Sequence, residues 1–171
     1  MTEEEWRTNP YAEQLCFQAD ADDLWTARKA RLLVCDVYRL LGDRLTDTDH
    51  EVLRVAEQMA DGRAKWIQLC TAVRGTGWLL DALIHRERLT TWDVWDVIHR
   101  CRGPATREPP QFHIVYPPNE AQAALVRDIF GNPVRPVAFD PSWRSDTVLS
   151  LARVMYETRD FTAMPILADA L

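Results

Sequence analysis

Histidine and cysteine side chains are the first candidates for chemistry in this chain, because they ligate metals and act as nucleophiles or bases. His99 and Cys101 lie two residues apart. This spacing directs them to different faces of a helix, whereas zinc ligands usually pair as C-x2-4-C or H-x3-5-H. The four cysteines form no CxxC pair. We therefore expect no metal site, no cofactor and four free, mostly buried thiols.

Known catalytic motifs are missing from the sequence. It has no G-x-S-x-G, H-E-x-x-H, P-loop or G-x-G-x-x-G. Cys35 and Cys70 lie on apolar helical stripes, which favours buried, inert thiols over nucleophiles. We therefore expect no catalytic residue. The alternative is an enzyme, such as a hydrolase using a buried carboxylate or His99, and it requires a pocket lined by titratable groups with perturbed pKa values.

A Trp-Asp pair occurs twice at a spacing of three residues, at 92–93 and 95–96. This spacing makes Trp92 and Trp95 neighbours on a helix. The two tryptophans either cover the edge of the core or form an aromatic anchor for a partner, since tryptophan is enriched at binding hot spots.

The segment Gly131–Trp143 contains one glycine and three prolines between two helical segments. Each proline fixes its own φ and biases the preceding residue away from helix. The segment is therefore expected to be a rigid connector. Within it, three residues have two interpretations. In the structural one, Arg135 pairs with a carboxylate or donates to carbonyls, Asp140 caps a turn and Trp143 fills the core. In the functional one, the three form a recognition surface that loses little entropy on binding.

Apolar periodicity and capping signals predict helices that must position these residues. Thr46 with Asp49 and Asn119 with Gln122 resemble capping boxes, Thr91 is a candidate cap, and Asp140-Pro141 is typical of the start of a single turn. The predicted helices cover 11–19, 27–41, 47–60, 66–73, a buried segment 78–84, 91–101, 119–130, a segment capped by Ser145 or Asp146, and a terminal helix with Pro165 in its first turn.

The fold class that follows is all-α, a compact orthogonal bundle of seven or eight helices with a proline-rich extended linker. We expect one domain, made of an N-terminal bundle (1–103), the linker (104–118) and a C-terminal helical subdomain (119–171) packed on the bundle. The hexamer 111–116 is suited to a strand, but the sequence offers no partner strand, so an extended segment laid on the helices is expected.

The net charge of −6 and the missing basic stripe disfavour nucleic-acid binding. No run approaches the roughly 18 apolar residues of a membrane span, and the acidic start, without an apolar stretch, predicts no signal peptide and a cytoplasmic protein.

Several motifs resemble a family of uncharacterised bacterial proteins that has no established activity. The resemblance lies in TEEEW at 2–6, AEQMADG at 56–62, RDIFGNP at 127–133, RPV at 135–137, DPSW at 140–143 and MPILADAL at 164–171. It implies no catalytic residues for this chain, and it implies that members continue past Leu171. Relatives are richer in cysteine where this chain has Val34-Cys35-Asp36 and Ala123-Ala124, which argues against a metal role here.

These observations predict a non-enzymatic protein–protein interaction or regulatory module with an unidentified protein partner. The predicted partner-binding residues are Trp92, Trp95, Arg135, Asp140 and Trp143. The sequence leaves the oligomeric state open.

Overall fold

The computed structural model describes residues 1–74, 89–101, 106–107, 114–115, 119–135, 140–158 and 160–170. The predicted buried helix at 78–84 and the segment 136–139 of the connector lie outside these ranges. Contacts divide the chain into two compact units, Met1–Arg135 and Pro136–Leu171.

The fold is all-α, as predicted, with nine α-helices in the described residues, seven of them at least seven residues long. Two further short turns are 3-10 helices, Gly42–Arg44 and Pro141–Trp143. The α-helices are α1 Glu3–Thr8, α2 Ala12–Ala21, α3 Ala27–Arg39, α4 Asp47–Ala60, α5 Trp66–Ala72, α6 Thr91–Arg100, α7 Glu120–Phe130, α8 Asp146–Thr158 and α9 Met164–Asp169.

The first unit is built around α3. This helix packs against α4, α6 and α7, while α2 packs against α6 and α7, and α4 against α5. Leu33, Val34, Val37 and Tyr38 of α3 have no exposed surface. Full burial of a valine or leucine side chain stabilises the fold by about 1.5–3 kcal/mol, so the apolar stripe predicted for this segment forms the centre of the core.

Helix α7 belongs to the first unit, although the sequence predicts that it lies in the C-terminal subdomain (119–171). The buried side chains of Ala123, Val126 and Phe130 face the core. Gln122 is fully buried, and its Nε2–H donates to the Ile98 carbonyl at 3.1 Å. Arg127 donates to the Asn9 carbonyl at 2.8 Å, which also ties α7 to the chain between α1 and α2.

The second unit contains a 3-10 turn, Pro141–Trp143, followed by α8 and α9, which pack against each other. Ser145 caps α8, because its Oγ accepts the Val148 N–H at 3.3 Å. Pro165 lies in the first turn of α9, as predicted.

The expectation that 111–116 has no partner strand was wrong. Ile114–Val115 pairs antiparallel with Thr106–Arg107, in a ladder of two residues on each side. Sequence patterns cannot show so short a pairing, because two residues are too few for a period-2 signal.

Helix α4 begins with the predicted capping box. The Thr46 Oγ1 accepts the Asp49 N–H at 3.2 Å, and Asp49 accepts the Thr46 N–H at 2.8 Å. Two of the amide groups at this helix start, which have no partner within the helix, are therefore satisfied. Gly62 follows the helix with φ +72°, a conformation that favours glycine.

Within the described residues, no helix has the length and the apolar character that a bilayer span requires.

Replacing Thr46 with alanine removes the side-chain cap of α4, so we expect Thr46→Ala to lower the free energy of unfolding by about 1 kcal/mol. Thr48 is the matched control, because it is exposed in the first turn of the same helix. We expect Thr48→Ala to change the free energy of unfolding by less than about 0.5 kcal/mol. Urea denaturation followed by circular dichroism measures both values. Equal losses in the two variants would contradict the capping role.

Candidate functional site

Helix α6 carries Trp92 and Trp95, two of the predicted partner-binding residues, and its start is fixed by Thr90. The Thr90 Oγ1 accepts the Asp93 N–H at 3.3 Å, and Asp93 accepts the Thr90 N–H at 2.8 Å. The cap is therefore Thr90 rather than the predicted Thr91. Thr90 has an acidic residue three positions later, which Thr91 lacks, so the capping box selects Thr90.

Contacts from other elements hold both ends of α6. At the start, the Trp25 Nε1–H donates to the Leu89 carbonyl at 3.2 Å, and the Trp25 ring stacks on Phe130 at 5.1 Å. At the end, the buried Gln122 side chain donates to the Ile98 carbonyl. These contacts fix the position and the rotation of α6, and with them the direction of its tryptophans.

Four rings lie side by side across α2 and α6, and we call them the aromatic cluster: Phe17, Trp92, Trp95 and His99. The Phe17 and Trp92 ring centroids are 5.5 Å apart, and those of Trp92 and Trp95 are 6.1 Å apart, both edge to face. The Trp95 and His99 rings are tilted by 55°, with centroids 4.0 Å apart. Edge-to-face geometry is one of the favourable arrangements for aromatic pairs.

The aromatic cluster changes from exposed to buried along its length. Trp92 is 67% exposed and Phe17 is 38% exposed, whereas Trp95 is half-buried and His99 is buried. Trp92 points away from the core because Val94, Val97 and Ile98 occupy the buried face of α6. Large exposed aromatic side chains that contact one another are typical of binding surfaces.

Of the five predicted site residues, the structure brings Trp92 and Trp95 together. Arg135 ends the first unit, where its backbone N–H donates to the Asn132 Oδ1 at 3.2 Å and its side chain is exposed. Asp140 and Trp143 belong to the second unit. Asp140 caps the 3-10 turn, as predicted, and Trp143 is half-buried rather than the fully buried core plug that was one expectation.

Phe17 was missed as a member of the site. The buried residues of α2 are Ala12, Leu15, Cys16 and Ala19, and Phe17 lies off this stripe. An aromatic residue off the apolar stripe of an amphipathic helix is a signal of exposure. The sequence could have given this signal, but not the packing of α2 on α6 that places Phe17 beside Trp92.

The buried carboxylates of the described residues serve structure. Asp49 completes the cap of α4, and Glu57 accepts a hydrogen bond from Arg39. This bond is the main reason that the pKa of Arg39 lies above its ordinary value. A guanidinium held in this way keeps its charge.

A groove between α4 and α5 has a volume of about 460 Å³ and is lined by Glu51, Arg54, Val55 and Ile67 among others. Hydrogen bonds from Arg54 hold the pKa of Glu51 below its usual range, and Glu51 raises the pKa of Arg54. Both side chains are more than half exposed. Their pKa shifts thus come from a surface ion pair three residues apart, which is suited to helix stability rather than to general acid or base catalysis.

The thiols of the chain differ in burial. Cys16 and Cys35 are buried, while Cys70 and Cys101 are half-buried, and all four are free. Burial raises the pKa of Cys16 and of Cys35, and it raises the pKa of Cys101 to about 11. A thiol with a raised pKa is a weak nucleophile at neutral pH. In the part of the chain that the structure describes, no three His, Cys, Asp or Glu side chains are grouped to hold a metal ion.

Comparison with known proteins gives no match to this chain among family models, curated proteins or solved structures.

The burial of the thiols predicts an order of reaction with Ellman's reagent. In the native protein near pH 8 we expect Cys70 to react first, Cys101 more slowly because its pKa is raised, and Cys16 and Cys35 only on unfolding. Cys70→Ser should remove the fastest phase, and protein unfolded in guanidinium should react at all four thiols. Reaction of Cys16 or Cys35 as fast as Cys70 in the native state would contradict the burial.

The cap at Asp140 predicts a titration at low pH. The backbone N–H of Ser142 donates to the Asp140 Oδ1 at 2.8 Å, and this bond lowers the pKa of Asp140. The cap therefore contributes stability above the ordinary Asp pKa of about 3.9 and loses it as the pH falls through the lower folded value. The amide shift of Ser142, followed by NMR against pH, should show a midpoint below about 3.9. This transition should be missing in Asp140→Asn, and a midpoint above that value would contradict the cap.

Proposed function

We propose that this chain is a non-enzymatic protein–protein interaction or regulatory module, and that the aromatic cluster is its main contact with a protein partner. The observation that carries the proposal is the exposure of Trp92, 67% of whose surface is open to solvent although its ring contacts two other aromatic side chains. Leaving so large an apolar ring in water is unfavourable, and a partner that covers it gains the corresponding free energy.

The rigidity of α6 supports the proposal. Its capping box and the hydrogen bond from Trp25 fix its first turn, and Gln122 fixes its last. Trp92 is further restrained between Phe17 and Trp95. A partner that binds this surface pays little to order it, so more of the contact energy appears as affinity.

A cytoplasmic location is part of the proposal. Four free cysteines are typical of a reducing compartment. Membership of the bacterial family that the chain resembles remains a prediction. It agrees with a non-enzymatic function, because the resemblance implies no catalytic residues.

The connector residues are also proposed to contact a partner, each from its own unit. Arg135 is exposed in the first unit, whereas Asp140 is exposed and Trp143 half-buried in the second unit. The contribution of each of these residues is therefore measured by a separate variant.

Partner capture from a native cytoplasmic extract, quantified by mass spectrometry, tests the proposal. We expect Trp92→Ala to reduce retention of a stoichiometric partner by about tenfold or more, as at a binding hot spot. Ile67→Ala is the matched control, because Ile67 is 64% exposed on α5 and does not belong to the aromatic cluster. It should retain the partner as the wild type does. Arg135→Ala and Trp143→Phe, measured in the same way, report on the connector.

Circular dichroism and urea denaturation establish that each variant is folded under the conditions of the capture experiment, before its retention is compared with that of the wild type. Equal retention by folded Trp92→Ala and the wild type would show that the aromatic cluster is not the partner surface.

A further inference from the structure

We propose that the aromatic cluster binds a cationic protein segment and that an arginine side chain of this segment stacks on Trp92. The inference rests on the proposed function and adds the chemical class of the partner.

The charge of the two helices that carry the aromatic cluster is strongly one-sided. Residues 11–25 and 90–100 contain six acidic residues and one basic residue, Arg100. The Arg100 guanidinium is already paired with Asp96 at 2.6 Å. The acidic residues are Glu13, Asp20, Asp22, Asp23, Asp93 and Asp96. A surface of this sign attracts cations and repels anions.

Several of these carboxylates lie beside the aromatic rings. On α2, Glu13 is four residues before Phe17 and Asp20 is three residues after it, so both share its side of the helix. On α6, Asp96 is four residues after Trp92. Asp20 is exposed, and its carboxylate has no partner among the described residues. It can therefore pair with an incoming cation without breaking an existing contact.

The contacts between the rings favour guanidinium over a caged ammonium group. An aromatic cage encloses an ammonium group between separated rings. Here Trp92 contacts Phe17 and Trp95 edge to face, with centroids 5.5 Å and 6.1 Å apart. Rings in direct contact do not form the separated pair that encloses an ammonium group. A planar guanidinium needs only an accessible ring on which to stack, and its weaker hydration makes this contact favourable.

Acidic surroundings also exclude the main anionic partners. The phosphate backbone of a nucleic acid and the headgroups of an anionic membrane would both meet repulsion at this surface. A polypeptide can combine arginine with apolar side chains, and the exposed Phe17 ring provides a place for the latter. A cationic protein segment therefore fits both the charge and the rings.

Three short synthetic peptides of equal length test the inference: one with arginines in a Gly/Ser background, one with lysines and one with glutamates at the same positions. Each is titrated into the full ¹⁵N-labelled chain, and the tryptophan indole N–H signals are followed by NMR. The Trp92 signal is assigned by its loss in Trp92→Ala. We expect saturable binding of the arginine peptide with a shift of the Trp92 signal, about fivefold weaker binding of the lysine peptide, and no binding of the glutamate peptide.

Variants distinguish the contribution of the Trp92 ring to peptide binding from that of the Asp20 carboxylate. Trp92→Ala should weaken binding of the arginine peptide by about tenfold, whereas Ile67→Ala should leave it unchanged. Asp20→Asn should weaken binding by about twofold to threefold. Because this loss is electrostatic, it should shrink as salt is added.

Two outcomes would overturn the inference: equal binding of the arginine peptide to the wild type and Trp92→Ala, or no binding of the arginine peptide. If partner capture nevertheless depends on Trp92, the proposed function stands and only the cationic partner is wrong. If neither capture nor peptide binding depends on Trp92, both proposals fall.

Discussion

Burial of α3 is the constraint on which the rest of the first unit depends. This helix contacts α4, α6 and α7, and four of its large side chains have no exposed surface. It also buries Arg31, whose guanidinium lies 6.0 Å from the centre of the Trp66 ring. Because α6 must present Val94, Val97 and Ile98 to this core, a helix turn of 100° per residue leaves Trp92 on the opposite side. The exposure of Trp92 thus follows from the packing of α3.

Contacts within the aromatic cluster reduce the free-energy cost of exposing Trp92. Phe17 and Trp95 cover part of Trp92, and each edge-to-face contact contributes about 0.5–1.5 kcal/mol beyond the area it buries. The same contacts restrict the rotamers of the rings before any partner arrives. The surface is therefore less costly to the free protein than an isolated tryptophan, and it is already ordered for binding.

Local signals in the sequence predicted helix caps and turns well. Contacts between distant parts of the chain could not be predicted in this way. The capping box of Thr46 with Asp49 and the cap at Asp140 depend on residues within a few positions, so the sequence encodes them directly. Helix α1 has the same type of signal, since Thr2 and Glu5 form a capping box. It was missed because α1 buries only Trp6 and shows no apolar stripe. The pairing of Thr106–Arg107 with Ile114–Val115 joins separate segments and has no such local mark.

The site also combines features that the sequence encodes locally with features that only the fold determines. The adjacency of Trp92 and Trp95 follows from their spacing, but the place of Phe17 depends on how α2 packs against α6. Net acidity was visible in the composition, whereas its concentration beside exposed rings required the fold. Charge acts over a Debye length of about 8 Å and mainly raises the rate of encounter. Ring contact acts only at short range and mainly slows dissociation. A surface with both features can capture a cationic segment by charge and retain it by stacking, so the carboxylates should govern association and Trp92 the lifetime of the complex.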